Sequence, residues 1–453
     1  MDIVVIETPA LGDRSYVVVS DGIAAVIDPQ RDIDRIESVI AERHVQVTHV
    51  FETHVHNDYV TGGLELARKS GALYVVSSSM DLAFEHVSAD EGAEFEVGEV
   101  VIKAIATPGH TPDHRSYAVI DNGRPTAVFS GGSMLFGTVG RTDLISDDAT
   151  EELTRAQFRS VRRLANELPA DAAVHPTHGF GSFCSSASSS GSDALTIVEE
   201  RDANMALTTY DEDAFVTQLL DGLTAHPRYY VHMAPINSQG PAPVDLSDPE
   251  PVDPVEIRRR IHAGEWVVDL RSRTAFADGH LFGTVNLEAA DSFATYLGWV
   301  MPWDTPVTLV GDNHDEVDEA QRQMVRIGID RPAGRALGGI ETWGLGGERR
   351  SFRTATFAEL AKEIDPGETV VVDVRRDDEW AEGHVTGATH IPVHDLDRRL
   401  DEIPDGDIWV YCASGYRAAL AASLIDRSGR TVIAVDDEWD TAPDIGTLQV
   451  AKS

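Results

Sequence analysis

The sequence predicts an α/β protein of several domains, and three observations carry that reading. The chain has 453 residues, more than one core serves, because single hydrophobic cores stop growing at about 250–300 residues. Its first half alternates β-rich runs with stretches of helical apolar spacing. Its second half contains one strand, acidic turn and Gly-His loop twice over.

The opening runs Val4-Val5-Ile6, Tyr16-Val17-Val18-Val19 and Ala24-Ala25-Val26-Ile27, broken by Asp21-Gly22, are expected to be strands joined by a hairpin. Ile33, Ile36, Val39 and Ile40 recur at helical spacing, and Val47-Thr48-His49-Val50-Phe51 is a strand that delivers a histidine-rich loop. Strands follow over 100–106, 116–120 and 126–129, with a turn at Asn122-Gly123 and a last strand at Ala172-Ala173-Val174. Helices are expected over 151–168, 193–207 and 213–223, and a flexible loop over the serine-rich residues 185–190. Proline and aspartate crowd the stretch from Gly240-Pro241-Ala242-Pro243 to Pro254, which predicts a linker over 241–254. Domains are therefore expected over 1–240, 255–350 and 354–453. The last two are related: Val267-Val268-Asp269-Leu270-Arg271 with Gly279-His280 is echoed by Val371-Val372-Asp373-Val374-Arg375 with Gly383-His384.

Composition bounds the function. A net charge of −39 repels phosphate backbones and anionic bilayers, so nucleic acid and membrane are excluded as expected partners. No apolar run reaches the roughly 18 residues of a membrane span, and Met1-Asp2-Ile3-Val4 has no basic leader, so the expected location is cytoplasmic. The oligomeric state is open, a homo-oligomer included. Two cysteines, Cys184 and Cys412, are too few for a disulfide framework and are read as thiols.

Cys412 ends a buried-strand pattern, Ile408-Trp409-Val410-Tyr411, and opens Cys412-Ala413-Ser414-Gly415-Tyr416-Arg417 before a helix. Backbone N–H groups of such a turn converge on one point and favour an anion there, which is a nucleophile's setting. Arg417 is placed to bind an anionic donor. The loop, with Asp373-Val374-Arg375 and His390-Ile391-Pro392 upstream, resembles the rhodanese family over residues 354–440. The resemblance implies a sulfurtransferase whose Cys412 carries sulfane sulfur from thiosulfate or a persulfide. In the other copy, Val307-Thr308-Leu309-Val310 leads into Gly311-Asp312-Asn313-His314, with Asp312 where a thiol would stand. That copy is expected to be structural.

In the first domain, Thr53-His54-Val55-His56-Asn57-Asp58-Tyr59 follows a strand, and Pro108-Gly109-His110 and His175-Pro176-Thr177-His178 follow others. Imidazoles and a carboxylate converging at strand ends suit zinc or iron. The run from Glu52 to Gly63, with Gly140-Arg141-Thr142-Asp143-Leu144, resembles the metallo-β-lactamase fold, and within it the persulfide dioxygenases fused to rhodaneses. The fold implied is an αββα sandwich followed by two rhodanese-like α/β domains. The activity implied is oxidation of a thiol persulfide such as glutathione persulfide to sulfite at one Fe(II), with zinc the alternative metal. That family's ligands correspond to His54, His110 and an aspartate whose place Gly132 takes. His56, Asp58 or an outside ligand would then complete the set, His178 would stand beside it, and Gly132→Asp would raise iron occupancy. Two rivals stand: a glyoxalase II-like thioester hydrolase with two metals, which would lack the same aspartate and have Tyr59 for a histidine, and a metal-depleted scaffold carrying one active rhodanese.

Overall fold

The structure, a computed structural model, describes residues 1–186, 195–365 and 369–452. The chain divides into two compact units: residues 1–244 with 325–328, and the remainder from Asp245.

The first unit is built on two six-stranded sheets, each running in chain order. One holds Asp2–Thr8, Asp13–Ser20, Ile23–Ile27, Gln46–Phe51, Leu73–Val76 and Val87–Ser88. The other holds Glu94–Val97, Val100–Ala106, Arg115–Asp121, Arg124–Gly131, Ala173–Pro176 and Leu195–Thr196. Alternation along the strands gives each sheet two apolar faces. Tyr16, Val18, Ile27, Phe51 and Val75 meet Ile102, Tyr117, Val119 and Phe129 between the sheets. The helices Asp34–Arg43 and Gly63–Ser70 bury Ile36, Leu66 and Ala67 on the outer face of the first sheet. Asp147–Glu167 and Glu212–Asp221 bury Phe158, Val161, Leu164 and Phe215 on that of the second. This is the expected αββα sandwich. Both predicted hairpins form, with positive φ at Asp21, Gly22, Asn122 and Gly123 as tight primed turns require.

Three local expectations need correction. The helix expected from 151 begins at Asp147, because Ser146 accepts the Ala149 N–H and Asp147 and Asp148 occupy the first turn. Residues 187–194, which include most of the serine-rich loop and the start of the helix expected at 193, lie outside the described residues. The rest of that helix is two, Ile197–Ala203 and Met205–Thr208. Asn204 divides them at ψ 127° while its side chain donates to the Leu135 and Thr138 carbonyls. The helix Tyr230–Gln239, with Pro235 inside it, had no expectation attached to it.

In the second unit, a parallel sheet orders its strands as Val285–Asn286, Trp266–Asp269, Val307–Val310 and Gly334–Ala336. A second orders Thr389–His390, Val370–Asp373, Ile408–Tyr411 and Val432–Val435 in the same way and adds Arg353–Ala355 at the edge. The repeat extends to single bonds. Arg271 pairs with Asp269 at 2.6 Å and donates to the Gly279 carbonyl; Arg375 pairs with Asp373 at 2.7 Å and donates to that of Gly383. The proline-rich stretch is not a free linker. Asp245, Ser247 and Asp248 bind Arg331 and Arg335, and Pro251 bridges Arg335 in parallel, so from Asp245 it belongs to the second unit. Among the described residues no helix is long and apolar enough to cross a membrane.

Candidate functional site

The strand Gln46–Phe51 ends in Glu52 and the loop that holds His54, His56, Asp58 and Tyr59, all of them at most 2% exposed. Asn237 clamps this loop, donating to the His56 and Tyr59 carbonyls and accepting the Thr61 N–H. Five imidazoles converge: His54, His56, His110, His114 and His178, with His54 ring centroids 4.1 Å from His56, 4.7 Å from His110, 5.1 Å from His114 and 5.3 Å from His178.

Hydrogen bonds assign their tautomers. Thr53 gives its hydroxyl proton to Asp28 at 2.7 Å and therefore accepts from His54 Nδ1 at 2.8 Å. The lone pair of His54 is left on Nε2. His110 Nδ1 donates to the Arg141 carbonyl at 2.6 Å, and its Nε2 is buried with no partner. His114 Nε2 accepts the Gly132 N–H at 3.0 Å. Burial, aided by neighbouring imidazoles, holds His54 far below the ordinary histidine range and pushes His110 down to about 3, so both are neutral donors of a lone pair at pH 7.

The other two face carboxylates. Burial works against charge on His56, but Asp28 and Glu52, at 3.3 and 3.2 Å from Nε2, outweigh it and raise His56 to about 9. Tyr59 lies 3.0 Å from the same nitrogen. His178 Nδ1 faces Asp13 at 2.9 Å and Asp58 at 3.2 Å, which likewise overcome burial and raise it. Burial and the charge of Asp58 push Asp13 up to about 7, whereas His178 keeps Asp58 ionised. His178 Nε2 stands 3.3 Å from His54 Nε2.

His54, His110 and His178 thus come together with Asp58 behind His178; His56 turns Nε2 into a carboxylate pair, but its Nδ1 is buried without a partner, and it offers a ligand atom within 4.8 Å of those of His54 and His178. His175 is absent from the cluster: it stacks on Phe129 at 5.3 Å between the sheets, on the opposite face of its strand. Asp28 went unnoticed in the sequence. It sits at φ 48° and also accepts from the Thr177 hydroxyl and the Thr53 N–H; its only signal was its place at the end of the strand Ile23–Ile27. Asp13 and His114 were missed likewise. At Gly132, an added Cβ would lie 2.2 Å from His110 Cδ2 and 2.8 Å from its Nε2. The His110 ring fills the space an aspartate would need, so Gly132→Asp requires that ring to shift.

The second cluster surrounds Cys412, which is 1% exposed between the strand Ile408–Tyr411 and the helix Tyr416–Arg427. The Gly415 N–H points at Sγ from 3.2 Å. Gly415 adopts φ 89°, and a Cβ there would meet Asp436 Oδ1 at 2.0 Å, so the turn needs glycine. Arg417 is not free to take an anion as expected: Glu379 holds both guanidinium ends, at 2.5 and 2.7 Å. Val435 to Trp439 walls the loop, with the Trp439 N–H on the Ala413 carbonyl and Asp436 paired to Arg273 of the preceding repeat at 2.7 Å. In that repeat the matching turn is closed by Glu316, whose carboxylate accepts the Asp312 N–H at 2.8 Å.

Comparison with known proteins bears on both clusters. Residues 10–178 match the metallo-beta-lactamase superfamily model, and residues 356–440 match the rhodanese-like domain. The chain carries a metallo-β-lactamase domain and one rhodanese domain. The two matched spans leave residues 255–350 outside. Over 207 residues the chain is 27% identical to the mitochondrial persulfide dioxygenase of Homo sapiens, covering 46% of this chain and 73% of that protein. It is also 27% identical over 266 residues to the hydroxyacylglutathione hydrolase of Brucella anthropi, covering 56% and 96% respectively. A solved metallo-beta-lactamase structure from Staphylococcus aureus superposes with a TM-score of 0.67 at 27% identity, covering 75% of this chain and 99% of that one. The metallo-β-lactamase domain therefore contributes a buried His/Asp cluster able to hold a metal, and the rhodanese domain contributes the thiol loop.

Proposed function

We propose that the chain is a sulfur-metabolism enzyme in which the rhodanese domain carries sulfane sulfur on Cys412 and the metallo-β-lactamase domain oxidises a thiol persulfide to sulfite. The observation that carries the reading is the Gly415 N–H aimed at Cys412 Sγ at the start of the helix Tyr416–Arg427, a setting for a thiolate and for the persulfide formed on it. The Cys412 thiolate attacks the outer sulfur of thiosulfate; a new S–S bond forms, the donor's breaks, and sulfite leaves with the electron pair. An acceptor thiolate then attacks the outer sulfur, and Cys412 departs as thiolate.

Three observations support a metal in the first domain. His110 Nε2 is buried and unpartnered, His54 and His110 are neutral donors, and 3.3 Å between His54 Nε2 and His178 Nε2 suits two nitrogens bound at about 2.0–2.1 Å to one tetrahedral ion. His54, His110 and His178 would hold Fe(II) or zinc. Such an ion supplies Lewis acidity and, as Fe(II), electrons for dioxygen. The chain's own groups orient the donors: Asp28 acts through Thr53 on His54, the Arg141 carbonyl on His110, and Asp13 and Asp58 on His178. Residues 255–350 read as a degenerate rhodanese-like domain, because the Glu316 carboxylate fills the turn where an anionic substrate would sit.

Thioester hydrolysis is the second reading, favoured by the 96% coverage of the hydroxyacylglutathione hydrolase. It draws less support from the residues, since Gly132 and Tyr59 stand where that reading would have an aspartate and a histidine. Oxygen uptake with glutathione persulfide, run beside hydrolysis of a glutathione thioester and metal analysis, separates the two. Thioester turnover with two zinc ions and no oxygen uptake would overturn the dioxygenase half.

A further inference from the structure

We infer that Cys184 is a ligand of the metal in the metallo-β-lactamase domain, supplying the anionic donor that Gly132 cannot. The inference rests on the metal reading above and names the residue that neutralises the ion.

The geometry gathers the thiol to the site. Ligand atoms of His110, His178 and Cys184 lie within 4.8 Å of one another, and all three residues are fully buried. His110 contributes Nε2, since its Nδ1 is spent on the Arg141 carbonyl, and that Nε2 has no partner. A buried imidazole lone pair with nothing to accept is costly unless a proton or an ion meets it.

Arg141 fixes both donors together. Its carbonyl orients His110, its N–H holds the Cys184 carbonyl at 2.8 Å, and its guanidinium, 2% exposed and paired with Asp143 at 2.7 Å, grips the Phe183 carbonyl at 3.1 Å. The Ser182 hydroxyl takes the Cys184 N–H at 3.2 Å.

Charge points the same way. Imidazoles alone leave a divalent ion without neutralisation, and the position that would add a carboxylate is filled by the His110 ring. Asp13 Oδ1 and Asp58 Oδ2 face His178 Nδ1, the nitrogen turned away from His54, and the Cys184 side chain lies against the Asp58 carboxylate. On binding, a metal–sulfur bond replaces the S–H bond of Cys184 and the proton leaves to buffer. A thiolate beside imidazoles favours a soft or borderline ion such as zinc.

The test uses the full chain, stripped with a chelator and reloaded with cobalt(II). A thiolate ligand gives an intense near-ultraviolet charge-transfer band that imidazoles alone do not. The band is expected in wild type and in Cys412→Ser, where Cys184 is the one remaining thiol, and is expected to vanish in Cys184→Ser while the visible cobalt bands persist. Zinc affinity in Cys184→Ser should fall at least about tenfold, the scale on which even outer partners of ligands act. Should Cys184→Ser fail to fold, Cys412→Ser decides alone. Cobalt bound in Cys412→Ser without the band overturns the inference and leaves the metal reading standing. Wild type that takes up no cobalt overturns the metal reading and this inference with it.

Discussion

A Cβ at Gly132 would stand 2.2 Å from His110 Cδ2, so no aspartate fits while His110 keeps its bond to Arg141. Gly132→Asp is expected to lower metal content and to cost about 1–3 kcal/mol by overpacking, a fall of several degrees in the unfolding midpoint. Metal analysis and calorimetry check both; a rise in bound iron would show that His110 moves aside. At Cys412 the chemistry needs a thiolate, and a serine hydroxyl neither ionises near neutrality nor carries sulfane sulfur. Cys412→Ser should reduce thiosulfate-to-cyanide transfer by at least about 1000-fold. Mass spectrometry of thiosulfate-treated wild type should find the added sulfur on Cys412; transfer at wild-type rate in the variant would place the nucleophile elsewhere.

The thiol turn depends on two neighbours outside its own motif. Gly415 holds φ 89° against Asp436, so Gly415→Ala meets left-handed strain of about 1 kcal/mol and a clash besides, and transfer activity should fall at least about tenfold. Glu379 is the second. Burial opposes its charge, but Arg417 and then Arg376 outweigh it and hold the carboxyl at about 2. A depressed carboxylate stabilises the fold above its unfolded value of 4.5, and the contribution is lost as pH falls from there toward 2. Thermal scans over that window should show stability declining in wild type and declining less in Glu379→Gln, which has no carboxyl to titrate. Equal slopes would mean that the pair contributes nothing to acid sensitivity.

Across the whole molecule, 76 acidic residues face 37 basic ones. Many arginines are paired on the surface, such as Arg163 with Glu91 and Glu167 and Arg353 with Glu359 and Glu363, yet exposed pairs contribute little and are screened by salt. The excess of negative charge repels itself over longer distances. The unfolding midpoint should therefore rise between about 0.1 and 1 M salt, as the screening length shrinks from about 10 to about 3 Å. A midpoint that falls over this range would mean that paired charges outweigh the net repulsion.

The sequence by itself determined the α/β class, the strands and hairpins of the first sandwich, the doubled Asp-x-Arg unit and the thiol turn. Each of these is set within a few residues: alternation selects a strand, Asn-Gly a tight turn, and a glycine at 415 a left-handed corner. Only the tertiary structure decided which groups meet. Asp28 and Asp13 are 26 and 165 residues from His54 and His178, the histidines they orient, and local pattern carries no record of such distances. The tie between Glu379 and Arg417 joins one helix start to another 38 residues on, which made the expected anion receptor half of an ion pair. Gly132 reads as a lost ligand in one dimension, and in three as the floor on which His110 lies.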